Sequence, residues 1–168
     1  MKLYLKLFLA TGIPFGLIMG VMYGDLTKGL FVGLFFGFFM SLILGTLNII
    51  FTKKSTSQDS NKATGVHQTK VLELQLPYDK TFDLCISSLD SVKGTVKQEE
   101  RSLGKVVAKT GMTWKSFGET IQFDVRKIDN EKTQVQISSK PALPTTLVDY
   151  GRNLENVEKI TEFFNKSK

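Results

Sequence analysis

The chain has 168 residues, with 22 Lys and Arg against 16 Asp and Glu, a net charge of +6 and a single cysteine. Beyond Lys70 the balance is 15 bases to 14 acids, so the later part offers no basic face of the kind nucleic-acid binding requires. The lone Cys85 excludes an internal disulfide framework and favours a reducing compartment.

Residues 1–52 hold only Lys2, Lys6 and Lys28 and the acid Asp25. Within them, residues 3–23 and 30–51 are two apolar stretches, each near the roughly twenty residues needed to cross a hydrocarbon core as a helix. The intervening GDLTKG, residues 24–29, predicts a tight loop and hence a helical hairpin. No small-x-small site closes the first stretch and a second follows at once, so it reads as a retained span rather than a cleaved leader. Lys6 lies near a span end where it can snorkel, and no other ionisable group marks an ion or proton path inside either span. Pro14 falls within the first helix, where neighbouring helices can tolerate it.

The second stretch, GLFVGLFFGFFMSLILG, places Gly29, Gly33, Gly37, Ser41 and Gly45 four residues apart, and the first repeats the interval with Gly12, Gly16, Gly20 and Gly24. Hydrophobic force does not join helices in lipid, and small residues at this spacing let backbones approach. The pattern predicts glycine-zipper packing within one hairpin, or a hairpin that also forms a homo-oligomer, with Phe31, Phe35, Phe36, Phe38 and Phe39 turned to lipid. Lys2 and Lys6 before the first span, with Lys53 and Lys54 after the second, place both termini in the cytoplasm of an inner membrane by the positive-inside rule. The opposite orientation is the alternative. Residues 53–69, KKSTSQDSNKATGVHQT, read as a polar linker with an r.m.s. reach of about 20–25 Å. His67, the only histidine, has no second ligand at metal spacing and reads as an exposed linker residue.

Residues 70–168 read as a separate α+β domain. Leu72, Leu74 and Leu76 alternate as a first strand; Pro77 and Asp79 open a helix whose inner face is Phe82, Cys85, Ile86 and Leu89. Strands follow at 94–100, 105–110, 119–127 and 133–138, the last two alternating cleanly through Ile121, Phe123 and Val125 and through Val135 and Ile137. A helix over about 150–165 supplies Leu154, Val157, Ile160, Phe163 and Phe164. The order β-α-β-β-β-β-α, with the helix opening PYDKTF at residues 77–82, resembles small TATA-binding-protein-like and helix-grip domains. It is also similar to domains of uncharacterised bacterial membrane-anchored proteins. That resemblance implies a curved antiparallel sheet wrapped around the last helix; it carries no functional residue with it.

Two segments stand out as candidate sites. TGMTWKSFGE, residues 110–119, contains Trp114, the only tryptophan, and Phe117. These aromatics either fold back over the sheet edge or form a lip for an apolar ligand, a protein partner or the bilayer interface. The second, residues 138–153, carries two prolines that disfavour strand pairing and ends in DYGRN. Asp149 or Asn153 reads as the helix N-cap. Arg152, placed where the helix dipole opposes a cation, calls for Asp149, Glu119 or an anionic ligand. No Walker loop, dinucleotide fingerprint, CxxC or triad appears, so the sequence predicts no enzyme, no cofactor and no metal. The reading is a membrane-anchored, non-catalytic binding domain for an apolar small molecule, a lipid or a protein partner. A structural homo-oligomer built on the glycine faces and an enzyme with a polar cleft near Arg152 and Glu119 are the alternatives.

Overall fold

The computed structural model describes residues 2–55, 65–113 and 116–167, residues 53–55 by backbone alone. It divides into two units, Met1–Phe51 and Thr52–Lys168.

Helices α1 (Lys2–Tyr23) and α2 (Leu26–Ser55) are antiparallel and each is long and apolar enough to cross a membrane. The connection is shorter than the expected loop over 24–29, because two capping devices compress it to Gly24 and Asp25. The Asp25 amide donates to the Gly20 carbonyl (3.0 Å) and the Gly24 amide to Val21 (3.2 Å), which closes α1 in a Schellman motif. The Asp25 carboxylate then accepts from the Thr27 and Lys28 amides at 2.9 and 3.2 Å, capping α2. Gly24 has φ +62° and open space around its Cβ position. It therefore serves the turn, outside the helix-packing series in which the four-residue interval had placed it.

Elsewhere in the series the two backbones nearly touch. A Cβ added at Gly33 would stand 2.7 Å from the Gly12 carbonyl oxygen and from the Gly16 Cα. One added at Gly37 would stand 2.9 Å from the Gly12 Cα, and one at Gly16 3.0 Å from the Gly29 oxygen. Gly20 lies against Leu26 and Gly29, and Gly45 lies under the Tyr4 ring. Ser41 is buried and donates to the Phe38 carbonyl (2.9 Å). Phe31, Phe35, Phe38 and Phe39 face outward. Phe36 departs from that expectation: it is half-buried and stacks on Phe15 with ring centroids 4.0 Å apart.

In the second unit β1 (Gln68–Leu74), α3 (Tyr78–Ser88), β2 (Thr95–Glu100), β3 (Lys105–Lys109), β4 (Glu119–Lys127), β5 (Thr133–Pro141) and α4 (Arg152–Lys166) follow in that order. The sheet runs β1-β5-β4-β3-β2 and is antiparallel throughout. Period-two alternation sends Ile121, Phe123, Val125, Val135 and Ile137 to one face, where Phe82, Leu89, Val157, Ile160 and Phe164 of the helical layer cover them. The core draws only on residues between Leu74 and Phe164, so the domain closes its core by itself. The expected strand over 133–138 extends to Pro141. Beyond Ser139 the partner β1 has ended and β5 pairs with β4 alone, so proline sits on a local edge. His67 is exposed but fastened, its Nε2 2.8 Å from the Ser138 hydroxyl.

Cys85 is fully buried in this core, and burial pushes its thiol far above the ordinary range. Thiolate is the reactive species, so Cys85 in the folded chain is expected to resist Ellman's reagent at pH 8 and to react stoichiometrically in urea. Rapid labelling without denaturant would show that α3 opens readily.

Candidate functional site

One end of the domain departs from the apolar rule. Going along the inward row of β4, Val125, Phe123 and Ile121 give way to Glu119; along β5, Val135 and Ile137 give way to Ser139. Opposite them α4 exchanges Phe164, Ile160 and Val157 for Asn156 and Asn153. All of these are buried, and Glu119, Ser139 and Asn153 have no solvent exposure.

A buried carboxylate is costly unless paired and hydrogen-bonded, and Glu119 is both. Its Oε2 accepts from the Thr110 hydroxyl and from Asn156 Nδ2 (3.4 Å), and lies 3.7 Å from an Arg152 guanidinium nitrogen. The Glu119 amide in turn donates to Thr110 Oγ1 at 2.8 Å. Ser139 links the helix to the sheet: its hydroxyl donates to Asn153 Oδ1 (2.8 Å) and accepts from Asn156 Nδ2 (3.3 Å). Two polar atoms of this cluster, Glu119 Oε1 and Arg152 Nε, are buried and have no hydrogen-bond partner among the described residues.

The start of α4 departs from both N-cap alternatives left by DYGRN: the cap position is Gly151, with Asp149 before it and Asn153 inside the helix. Tyr150 and Gly151 take positive φ (50° and 77°), so the helix begins at Arg152. Asp149, itself buried, accepts from the amides of Gly151 (3.2 Å) and Asn153 (3.0 Å) and from Asn153 Nδ2 (2.8 Å). Asp149 thus organises the helix start, and Arg152 turns to Glu119 and to Glu155, 3.2 Å away. Burial pushes the Glu155 carboxyl up, but hydrogen bonds and charge from Lys159 and Arg152 outweigh it and hold it below the usual range.

Two loops stand over this cluster, residues 110–118 and 142–151. In the first, the Thr113 amide donates to the Ser116 carbonyl (2.8 Å) and the Ser116 amide to Thr113 (3.2 Å), a small hairpin between β3 and β4. Trp114 and Lys115 lie outside the described residues. Gly118 closes the turn with φ +92°, where a Cβ would meet the Thr110 oxygen at 2.7 Å, and its carbonyl accepts from the Ala142 amide (2.9 Å) of the second loop. Phe117 does not fold over the sheet edge; it is 68% exposed. Between the loops lies a cleft of about 370 Å³, lined among others by Phe117, Leu143 and Leu147 and by the hydroxyl-bearing Ser116, Thr145 and Thr146. The sequence pointed to Phe117 and Arg152. It read Asn153 only as a helix cap and missed Ser139 and Asn156, although a serine at an inward strand position and asparagines at i and i+3 on the apolar face of a helix were the available signal. Among the described residues no group of three His, Cys, Asp or Glu side chains could hold a metal ion.

No family model matches the chain, and no curated protein sequence matches it. Solved structures similar to it include a Thermobifida fusca protein determined by NMR (9% identity, TM-score 0.41, covering 61% of this chain and 95% of that one). A second is the Zhui aromatase/cyclase of Streptomyces sp. R1128 (10%, TM-score 0.37, 60% and 87%). A third is the protein TTHA0849 of Thermus thermophilus (9%, TM-score 0.32, 61% and 99%).

Proposed function

We propose that the chain is a membrane-anchored binding protein. Its hairpin spans a bacterial inner membrane with both termini in the cytoplasm, and its α+β domain holds an apolar small molecule or lipid without transforming it. The observation that carries this reading is the cleft between residues 110–118 and 142–151. Its volume and its mixed lining of aliphatic, aromatic and hydroxyl side chains match what small-molecule sites require: mostly apolar walls and a few orienting polar groups. The Glu119 carboxylate has no exposure and is committed to Thr110, Asn156 and Arg152, which supports a role in fixing the cleft rather than in proton transfer. For the anchor, the glycines of α1 and α2 meet one another inside a single hairpin, which supports an anchor complete in one copy.

Amide spectra of the isotope-labelled domain, residues 65–168, titrated with decanol test the reading. Shifts are expected to concentrate at Ser116, Phe117, Thr146 and Leu147. Filling the cleft by Leu147→Trp is expected to weaken binding about tenfold, a loss of about 1.4 kcal/mol. Shifts scattered over the sheet, or none, would contradict it.

A further inference from the structure

We infer that the loop-bearing end of the domain is a lipid-docking surface, on which Met112, Phe117 and Leu143 enter the interface of an anionic bilayer. This rests on the reading that the hairpin spans a membrane. Three large apolar side chains stand in water at this end, Met112 76%, Phe117 68% and Leu143 44% exposed, on two loops joined by the hydrogen bond from Ala142 to Gly118. Exposed apolar groups gathered at one place mark a surface that something covers.

Chain length identifies the cover. The chain enters the domain at this same end: His67 and Gln68 pair with Ser138 and Ser139 of β5, and Val66 lines one recess with Leu143 and Pro144. Nine residues, 56–64, separate the end of α2 from Gly65, a span of at most about 35 Å when fully stretched. A bilayer crossed by α2 is therefore always within reach of these loops.

Charge points the same way. Exposed Lys93, Lys109 and Lys140 lie toward the loop end, with Asp90 as the exposed acid among them. The opposite end, at the start of α3 and the β2–β3 and β4–β5 turns, carries Asp79, Asp83, Glu99, Glu100, Asp129 and Glu131 against Lys80, Arg101, Lys105, Arg126, Lys127 and Lys132, and is close to neutral. Anionic headgroups attract basic segments near the surface, so the field favours the lysine-bearing loop end over the near-neutral opposite end.

Trp114, the only tryptophan, is a built-in reporter within the 110–118 segment. The full chain is reconstituted into phosphatidylcholine/phosphatidylglycerol vesicles whose acyl chains are brominated just below the headgroups, and its emission is compared with that in unbrominated vesicles. Flotation of the protein with the vesicles is scored in parallel. The inference predicts flotation, loss of about half of the Trp114 emission to bromine, as suits an interfacial indole, and recovery of that emission in a Met112→Ser, Phe117→Ser, Leu143→Ser variant that still floats. Lys109→Glu with Lys140→Glu is expected to reduce the quenching in a salt-dependent way. Flotation without quenching, or equal quenching in the serine variant, overturns the docking surface. Failure to float instead overturns the spanning hairpin on which it rests.

Discussion

Gly33→Ile is expected to force the two helices of the hairpin apart. The first carbon of the new side chain would already overlap the Gly12 carbonyl oxygen and the Gly16 Cα, and both obstacles are backbone, which cannot rotate away. Overpacking of a close-packed interface costs about 3 kcal/mol when nothing yields, and the helices escape it by relaxing toward an axis separation of about 8–10 Å. Nitroxide labels at the exposed positions Leu5 and Ile43 read the change as a longer, broader distance distribution. Leu30→Ile alters the outward face, where Leu30 is 60% exposed, and is expected to change nothing. The domain should stay folded, since none of its core residues comes from the hairpin. An unchanged distance in Gly33→Ile would mean that the glycine faces do not hold the helices together.

Glu119→Ala is expected to be the most damaging single change in the domain. It deprives Arg152 of its buried partner, leaves the Thr110 hydroxyl and Asn156 amide with fewer acceptors, and opens a void between β4 and α4. Removing one member of a buried ion pair costs about 3–5 kcal/mol when the survivor is left uncompensated. Glu155 stays 3.2 Å from Arg152, which sets the expected loss at the lower end, about 3 kcal/mol. Urea unfolding of the domain should show this as a lower midpoint at unchanged slope. Glu119→Gln keeps the shape and an acceptor oxygen and should cost less. Combining it with Arg152→Met should cost less than the sum of the two, because both changes remove the same Glu119–Arg152 contact. A loss below about 1 kcal/mol for Glu119→Ala, the range of solvent-exposed pairs, would show that water reaches the carboxylate.

Element order and the core of the domain were legible because they rest on local periodicity. Ile121, Phe123 and Val125 announce a strand wherever it pairs, and Phe82, Cys85 and Leu89 announce a helix face. The hairpin turn was misjudged because Thr27, Lys28 and Gly29 look like loop residues by composition. Their helicity comes from Asp25, whose carboxylate caps them. The polar end of the core was the least legible part. Glu119, Ser139 and Asn153 lie on three segments far apart in sequence, and only the register of β4 with β5 and the seat of α4 bring them together. Arg152 could be seen to need an acid, but choosing Glu119 over Asp149 required the positive φ of Tyr150 and Gly151, which turns Asp149 to the amides of Gly151 and Asn153.

The most direct test of the account is native mass spectrometry of residues 65–168, which contain the whole core, expressed in a bacterial cytoplasm. The account predicts a co-purifying species of lipid or small-metabolite mass that is released on activation and lost in Leu147→Trp. A folded domain that carries only its own mass, in wild type and variant alike, and gains none when decanol is added, would contradict it.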